Sequence, residues 1–358
     1  MKVRRLYKLV GPLILLILSP PLSSAQHLQD VPSGTTESLR GLSVASSHVV
    51  WASGTNGAYL RSLDGGRTWA HSQVPGSEHL DFRDVEAFSA DNAFLLSAGP
   101  GDQSRIYKTT NGGKAWTLQF TNHDPAGFFD CMAFWDRKRG IVVGDPVNGR
   151  FVVLRTDDGG KRWRKITNDL IPAALNGEGA FAASGSCIAV GGKKNVWFAT
   201  GGTAARVFRS TNAGKSWSVA NTPMVQGQDS TGIFSIAFRD RQHGVIAGGD
   251  YKNPDRGGAN LAFSYDGGLT WKLSQLSPQS YFSSIADNQW CSIAVGTKAL
   301  ALAGNWTTGK WATYTAADFN AARFLSPERA ITVGTKGRIA IVDTPRCHIT
   351  EDTSSISK

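Results

Sequence analysis

Four acids stand in glycine-rich stretches where a backbone turns: Asp145 in VGDPV, Glu178 in NGEGA, Asp250 in GGDYK and Asp255 in NPDRG. Hydrolysis of a glycosidic bond needs two carboxyls about 5–10 Å apart, one of them protonated. Asp145 and Asp250 are the pair to consider first, Glu178 is a third candidate, and Tyr251 or Trp306 would serve as a flat platform for a sugar. The competing reading is local, because an acid in a Gly-Asp turn readily accepts the N–H groups of its own loop. None of the three is assigned a catalytic role on sequence alone.

A second set of residues is basic. Arg105 (RIYKTTN), Arg206 (RVFRSTN) and Arg338 (RIAIVD) occupy one equivalent position in successive repeats, and Arg150 lies two residues further out in another. The planar guanidinium fork suits carboxylate or phosphate, so a ring of the four would hold an acidic partner. Solvated arginines or ion pairs between neighbouring units would give the same pattern. Other chemistry finds no seat. There is no GxSxG elbow, no HExxH and no P-loop, and the seven histidines are scattered singly. No metal site and no cofactor are expected.

These residues are positioned by a repeat. SLDGGRTW (62–69) returns as TTNGGKAW (109–116), TDDGGKRW (156–163), STNAGKSW (210–217) and SYDGGLTW (264–271). The tryptophans are spaced by 47, 47, 54 and 54 residues, and a worn copy, NWTTGKW, follows. Each unit holds four short runs rich in β-branched and aromatic residues, separated by Gly, Asp and Asn turns. Four-stranded sheets at this period predict an all-β fold, a β-propeller of seven blades with six or eight as alternatives. The last unit offers only three strands, and the segment 27–38 is expected to supply its missing outer strand. The box falls between the third and fourth strands of a blade. There Asp64, Asn111, Asp158, Asn212 and Asp266 accept backbone N–H bonds, while Trp69, Trp116, Trp163, Trp217 and Trp271 pack between sheets. A catalytic acid would not tolerate the exchange of Asp for Asn, so the box reads as structural.

The ends read differently. Residues 1–25 combine Lys2, Arg4, Arg5 and Lys8 with the apolar run LVGPLILLIL and a cleavage site after Ala25, the layout of a signal peptide. The mature chain, one domain over 26–346 with a disordered tail at 347–358, is expected to be exported, periplasmic or secreted, and monomeric, with no transmembrane segment. Four of the 38 Lys and Arg fall in the leader and there are 28 Asp and Glu, which leaves the mature chain at +6. That charge permits an acidic partner, but without a lysine run or arginine-rich arm it argues against nucleic acid. Cys131, Cys187, Cys291 and Cys347 allow three pairings. Cys131 and Cys187 fall at matching positions of two repeats, which usually lie too far apart to bridge, so buried free thiols are the expectation.

The pattern S/T-x-D/N-x-G-x-x-W resembles the Asp-box, or BNR repeat, of sialidases, xyloglucanase-like glycosidases, sortilin-type receptors and the photosystem II stability/assembly factor group. The form HGVIAGGD followed by SYDGGLTW is most similar to the last. VGDPVNGRF, NGEGAFAASG and KNVWFATGG also resemble uncharacterised bacterial exported propellers. In the Asp-box enzymes the active site lies on the face away from the boxes, which here would carry GPGDQS (99–104), 168–180 and 249–260. Sialidases are a poorer match: Arg-Ile-Pro is absent, although Tyr251, Tyr281 and Glu178 would share that face. The resemblance implies a non-catalytic binding or assembly propeller that docks an envelope or membrane protein, or an anionic ligand, on a basic loop-rich face. The alternative is a glycosidase or glycan-binding propeller using the acids of that face.

Overall fold

Six times along the chain, four short runs pair antiparallel in sequence order, the first near a common axis and the last at the surface, and a seventh sheet joins three such runs to a strand from the other end of the chain. A computed structural model describes residues 28–166, 168–275, 277–304, 311–315 and 318–344. The leader (1–25), the tail (347–358), Cys347, Trp306 and most of NWTTGKW lie outside the described residues.

Blade two shows the pattern. Asp81–Ala87, Ala93–Ala98, Arg105–Thr109 and Thr117–Thr121 form one sheet, its second strand wholly buried and its fourth half-exposed. In blade one the outermost strand, Ala70–Gln73, is exposed throughout and only four residues long. Short polar edges of this kind discourage pairing with other chains. The first strands of neighbouring blades touch all the way round: Leu39–Val44, Asp81–Ala87, Phe129–Phe134, Ile188–Gly191, Gln228–Phe238, Ser284–Asp287 and Phe319–Ser326. Seven apolar clusters fill the seven gaps between blades. The ring closes as expected: Leu28–Val31 pairs with Ile339–Asp343, Leu28 opposite Val342 and Val31 opposite Ile339.

The boxes latch each blade. In the first, Ser62 Oγ donates to Asp64 Oδ1 (2.8 Å) and accepts the Gly66 N–H (2.8 Å), while Asp64 also accepts the Arg67 and Thr68 N–H groups. Asn111 and Asn212 accept the Ala115 and Ser216 N–H groups at 2.9 Å in the same way. Every box also reaches the turn between strands one and two of its own blade. Gly65, Gly112, Gly159, Ala213 and Gly267 donate their N–H groups to the carbonyls of His48, Asp91, Lys138, Lys194 and Gln242 at 2.7–3.0 Å. The box tryptophans wedge against the preceding blade. Trp116 meets Trp51 and Tyr59 of blade one at 6.1 and 5.1 Å, and Trp217 joins the cluster that holds Ile141 of blade three.

Three features depart from expectation. Cys131 and Cys187 form a disulfide, with Cα atoms 6.0 Å apart, and are not free thiols. The blades are wedges, so matching positions that are remote at the rim converge on the innermost strands. Blade four begins only at Ile188, within and not before the stretch NGEGAFAASGSCIAV. The preceding segment instead joins blade five, whose sheet gains the two-residue strands Glu178–Gly179 and Gly201–Gly202 and becomes six-stranded.

Candidate functional site

On the face away from the boxes, the inner strands open into a cavity of about 550 Å³ that draws residues from every blade except the fourth, whose place the segment before it takes. Its wall is built by a repeated irregularity. The register of the first strand shifts between Leu39 and Gly41, Phe82 and Asp84, Phe129 and Cys131, Ile233 and Ser235, and Phe319 and Ala321. Each shift leaves one extra residue, and a β-bulge re-aims that side chain. The extra residues are Arg40, Arg83, Asp130, Phe234 and Asn320, and all five line the cavity.

The segment 178–183 (EGAFAA) straps across this mouth. Its start is fixed by Glu178, fully buried, whose carboxylate accepts from Arg206 Nε (2.9 Å) and Nη2, from Thr200 Oγ1 (2.6 Å) and from the Leu175 N–H (2.8 Å). Asp145 Oδ1 accepts the Ala180 N–H at 2.9 Å. Phe181 stacks on Phe234 at 3.9 Å with 8° between the rings, and Tyr281 meets Phe234 edge-on at 4.8 Å. A side chain at Gly201 would come within 2.2 Å of the Phe181 ring, so the ring lies there only because that strand carries glycine. Two arginines hold the strap's end: Arg83 Nη1 donates to the Ala182 carbonyl (3.1 Å) and Arg40 Nη1 to the adjacent Ala183 carbonyl (3.4 Å).

The electrostatics are lopsided. Arg83 is paired with Asp81 at 2.7 Å, whereas Arg40 has no carboxylate within ion-pair distance among the described residues. Arg40 Nε is buried without a hydrogen-bond partner, and burial and then the neighbouring Arg83 lower its affinity for its proton. Burial, reinforced by Asp145, pushes the Asp130 carboxyl well above the usual carboxylate range against the pull of Arg83. Its Oδ2 is also buried and unpartnered. Burial raises Asp145 too, with the Ala180 N–H opposing. Arg40, Arg83 and an acid whose affinity for its proton is raised by burial therefore line one cavity beside an aromatic shelf.

The residues singled out from sequence are distributed differently. Arg105 donates to the Asp102 carbonyl and pairs with its carboxylate at 3.6 Å; Arg150 donates to the Ile171 carbonyl; Arg338 pairs with Asp30 at 2.9 Å and lies over the Phe319 ring. Arg105 and Arg150 start their third strands and Arg338 directly precedes its own, all on the loop face, but none of the three lines the cavity. Arg206 is buried in its pair with Glu178. Asp250 accepts from the Lys252 N–H (3.0 Å) and Asn253 Nδ2 (2.7 Å) of its own loop and does not line the cavity that Asp145 lines. Asp255 is exposed, whereas Tyr251 and Tyr281 do reach the cavity. Arg40, Arg83 and Asp130 were missed. Aligning the first strands (LRGLSV, FRDVEA, FDCMAF, IFSIAF, FNAARF) would have placed them at one position.

No family model matches the chain. It is 26% identical over 236 residues to the photosystem II assembly lipoprotein Ycf48 of Synechococcus sp. (strain CC9902), covering 64% of this chain. The chain spans about 60% of the length of that relative. Among solved structures it is similar to Ycf48 bound to a D1 peptide (TM-score 0.60, 17% identity, 90% of this chain and 96% of that one). It is also similar to a GH74 enzyme of Niastella koreensis (TM-score 0.53, 13% identity, 86% and 59%). The structural likenesses, at these identities, speak to fold. The chain is a seven-bladed β-propeller similar in sequence to a Ycf48 photosystem II assembly lipoprotein and in fold to a Ycf48 structure.

Proposed function

We propose that this chain is an exported, non-catalytic binding propeller that docks a protein of the cell envelope or membrane on its loop face, around the axial mouth. The observation that carries this reading is the convergence of the bulged strands and the strap on one mouth. Arg40 and Arg83 line that mouth, and the acids considered for catalysis are engaged elsewhere, Glu178 and Asp145 in holding the strap and Asp250 in its own loop. The likeness to Ycf48 supports the same class of function, since one such protein has been solved with a bound peptide. Among the described residues no helix is long and apolar enough to cross a membrane.

Arg105, Arg150 and Arg338 are the rim residues available to such a partner, and Arg206 is not. The test is a crosslinked pull-down from the native host's envelope with three baits. These are the mature chain, its Arg105→Ala/Arg150→Ala/Arg338→Ala variant, and a box-face control, Arg67→Ala/Lys114→Ala/Lys161→Ala. A partner recovered by the first and third and lost by the second supports the reading. A partner lost equally by both variants overturns the choice of face. Retention on host polysaccharide, with turnover abolished by Asp145→Asn, would replace docking by the glycan alternative.

A further inference from the structure

The axial cavity is a built site with unfilled chemistry. Arg40 Nε and Asp130 Oδ2 are buried without partners, and Asp130 is only 1% exposed. Polar atoms in protein interiors are rarely left unpaired, because each costs the hydration it gave up. Here Arg40, Arg83 and Asp130 line the same cavity as a shelf of three rings. Arg40 and Arg83 hang from consecutive carbonyls of the strap, close enough to repel, and among the described residues only Arg83 of the two has an ion-pair partner, Asp81. Bringing like charges together is unfavourable unless an anion joins them. The half-exposed Phe181 extends the stack on Phe234 toward the opening. The volume, about 550 Å³, lies in the range of pockets that enclose small organic ligands.

We propose that the axial cavity binds a small aromatic carboxylate, its carboxylate held by Arg40 and Arg83 and its ring laid against Phe181. A phosphate group has no use for the aromatic shelf, and a neutral aromatic leaves Arg40 uncompensated. Asp130 contributes an O–H to the ligand's carboxylate or to a ring substituent. The site does not depend on the docking reading: a chain that captures no envelope protein can still bind this ligand, and the reverse.

Isothermal titration calorimetry on the mature chain, purified from an oxidising compartment, tests the site with 4-hydroxybenzoate. Its neutral twin 4-hydroxybenzamide and the non-aromatic cyclohexanecarboxylate are the comparison probes. One molecule of 4-hydroxybenzoate binds per chain, and each comparison probe binds about tenfold or more weakly, as expected when a charge-assisted contact or a stacking face is removed. Arg40→Gln loses about tenfold or more. Asp130→Asn, which keeps a donor, retains binding, and Asp130→Leu loses it. Equal affinity for acid and amide, no binding by any probe, or wild-type affinity in Arg40→Gln would overturn the proposal. If Arg40→Gln does not fold, the acid-against-amide comparison on the unaltered chain decides alone.

Discussion

Replacing Arg206 by alanine separates two readings of the arginines at the start of the third strands. A ligand-holding surface arginine would be lost with little change in stability, within about 0.5 kcal/mol. The structure instead makes Arg206 the counter-charge of a carboxylate with no side-chain exposure. Of the donors to Glu178, the substitution removes Nε and Nη2 and leaves only the Thr200 hydroxyl and the Leu175 N–H. It also removes the bond to the Ala173 carbonyl and the contact over the Phe208 ring. Breaking one side of a buried ion pair costs about 3–5 kcal/mol, chiefly through the charge left behind. For a domain of this size that corresponds to a fall in Tm of about 6–10 °C, at about 2 °C per kcal/mol. Urea unfolding followed by fluorescence of the 11 tryptophans reads the loss as a shift in midpoint. The double variant Arg206→Met/Glu178→Leu removes both charges and recovers most of the stability. A single variant as stable as the parent, or a double variant no better than the single, would refute the anchoring role.

Other consequences follow from the fold. Replacing Cys131 and Cys187 together by alanine opens a loop of sequence separation 56, and chain entropy for that length gives a loss of about 4 kcal/mol, read by the same unfolding experiment. Ala213 holds the position that four boxes give to glycine, at φ 61°. Relief of a left-handed alanine is worth about 1–2 kcal/mol and the freer unfolded chain takes back about 0.4–1. Ala213→Gly therefore raises stability by about 0.5–1 kcal/mol, and a loss would contradict the box geometry. Glu86 is pushed up to about 7 by burial, against the pull of Arg323. A carboxyl raised in the folded state favours folding at acid pH, and that contribution is lost as the pH rises from about 4.5 through 7. Glu86→Gln should flatten the stability profile across this window and leave the variant more stable than the parent at pH 8.

The periphery of the ring was legible because its chemistry repeats. A box needs a hydroxyl, an Asx oxygen, left-handed glycines and a tryptophan at fixed spacing, so five copies declared the blades. The three-stranded last unit then required the strand at Leu28–Val31. The axis was not legible in the same way. The bulge position carries Arg40, Arg83, Asp130, Phe234 and Asn320, which share geometry and no chemistry, so no motif marks them. Alignment on the boxes also anchors the outer strands, where small differences in the linkers displace the register of the inner ones. Glu178 and Arg206 are 28 residues apart, and each looked like a surface group on its own. The disulfide follows from the convergence of wedge-shaped blades, a property of the closed ring rather than of either cysteine's neighbours.

Recognition on the loop face can be tested directly, because two tyrosines of nearly equal exposure sit on opposite faces. Tyr251 follows the second strand of blade five at the mouth and is 46% exposed; Tyr265 lies in the fifth box and is 45% exposed. Replacing each in turn by a photo-crosslinking amino acid and irradiating the native host tests the assignment without removing any proposed contact. A discrete covalent adduct with an envelope or membrane protein is expected from position 251 and none from position 265. Adducts from 265 alone, or the same adduct from both, would contradict it.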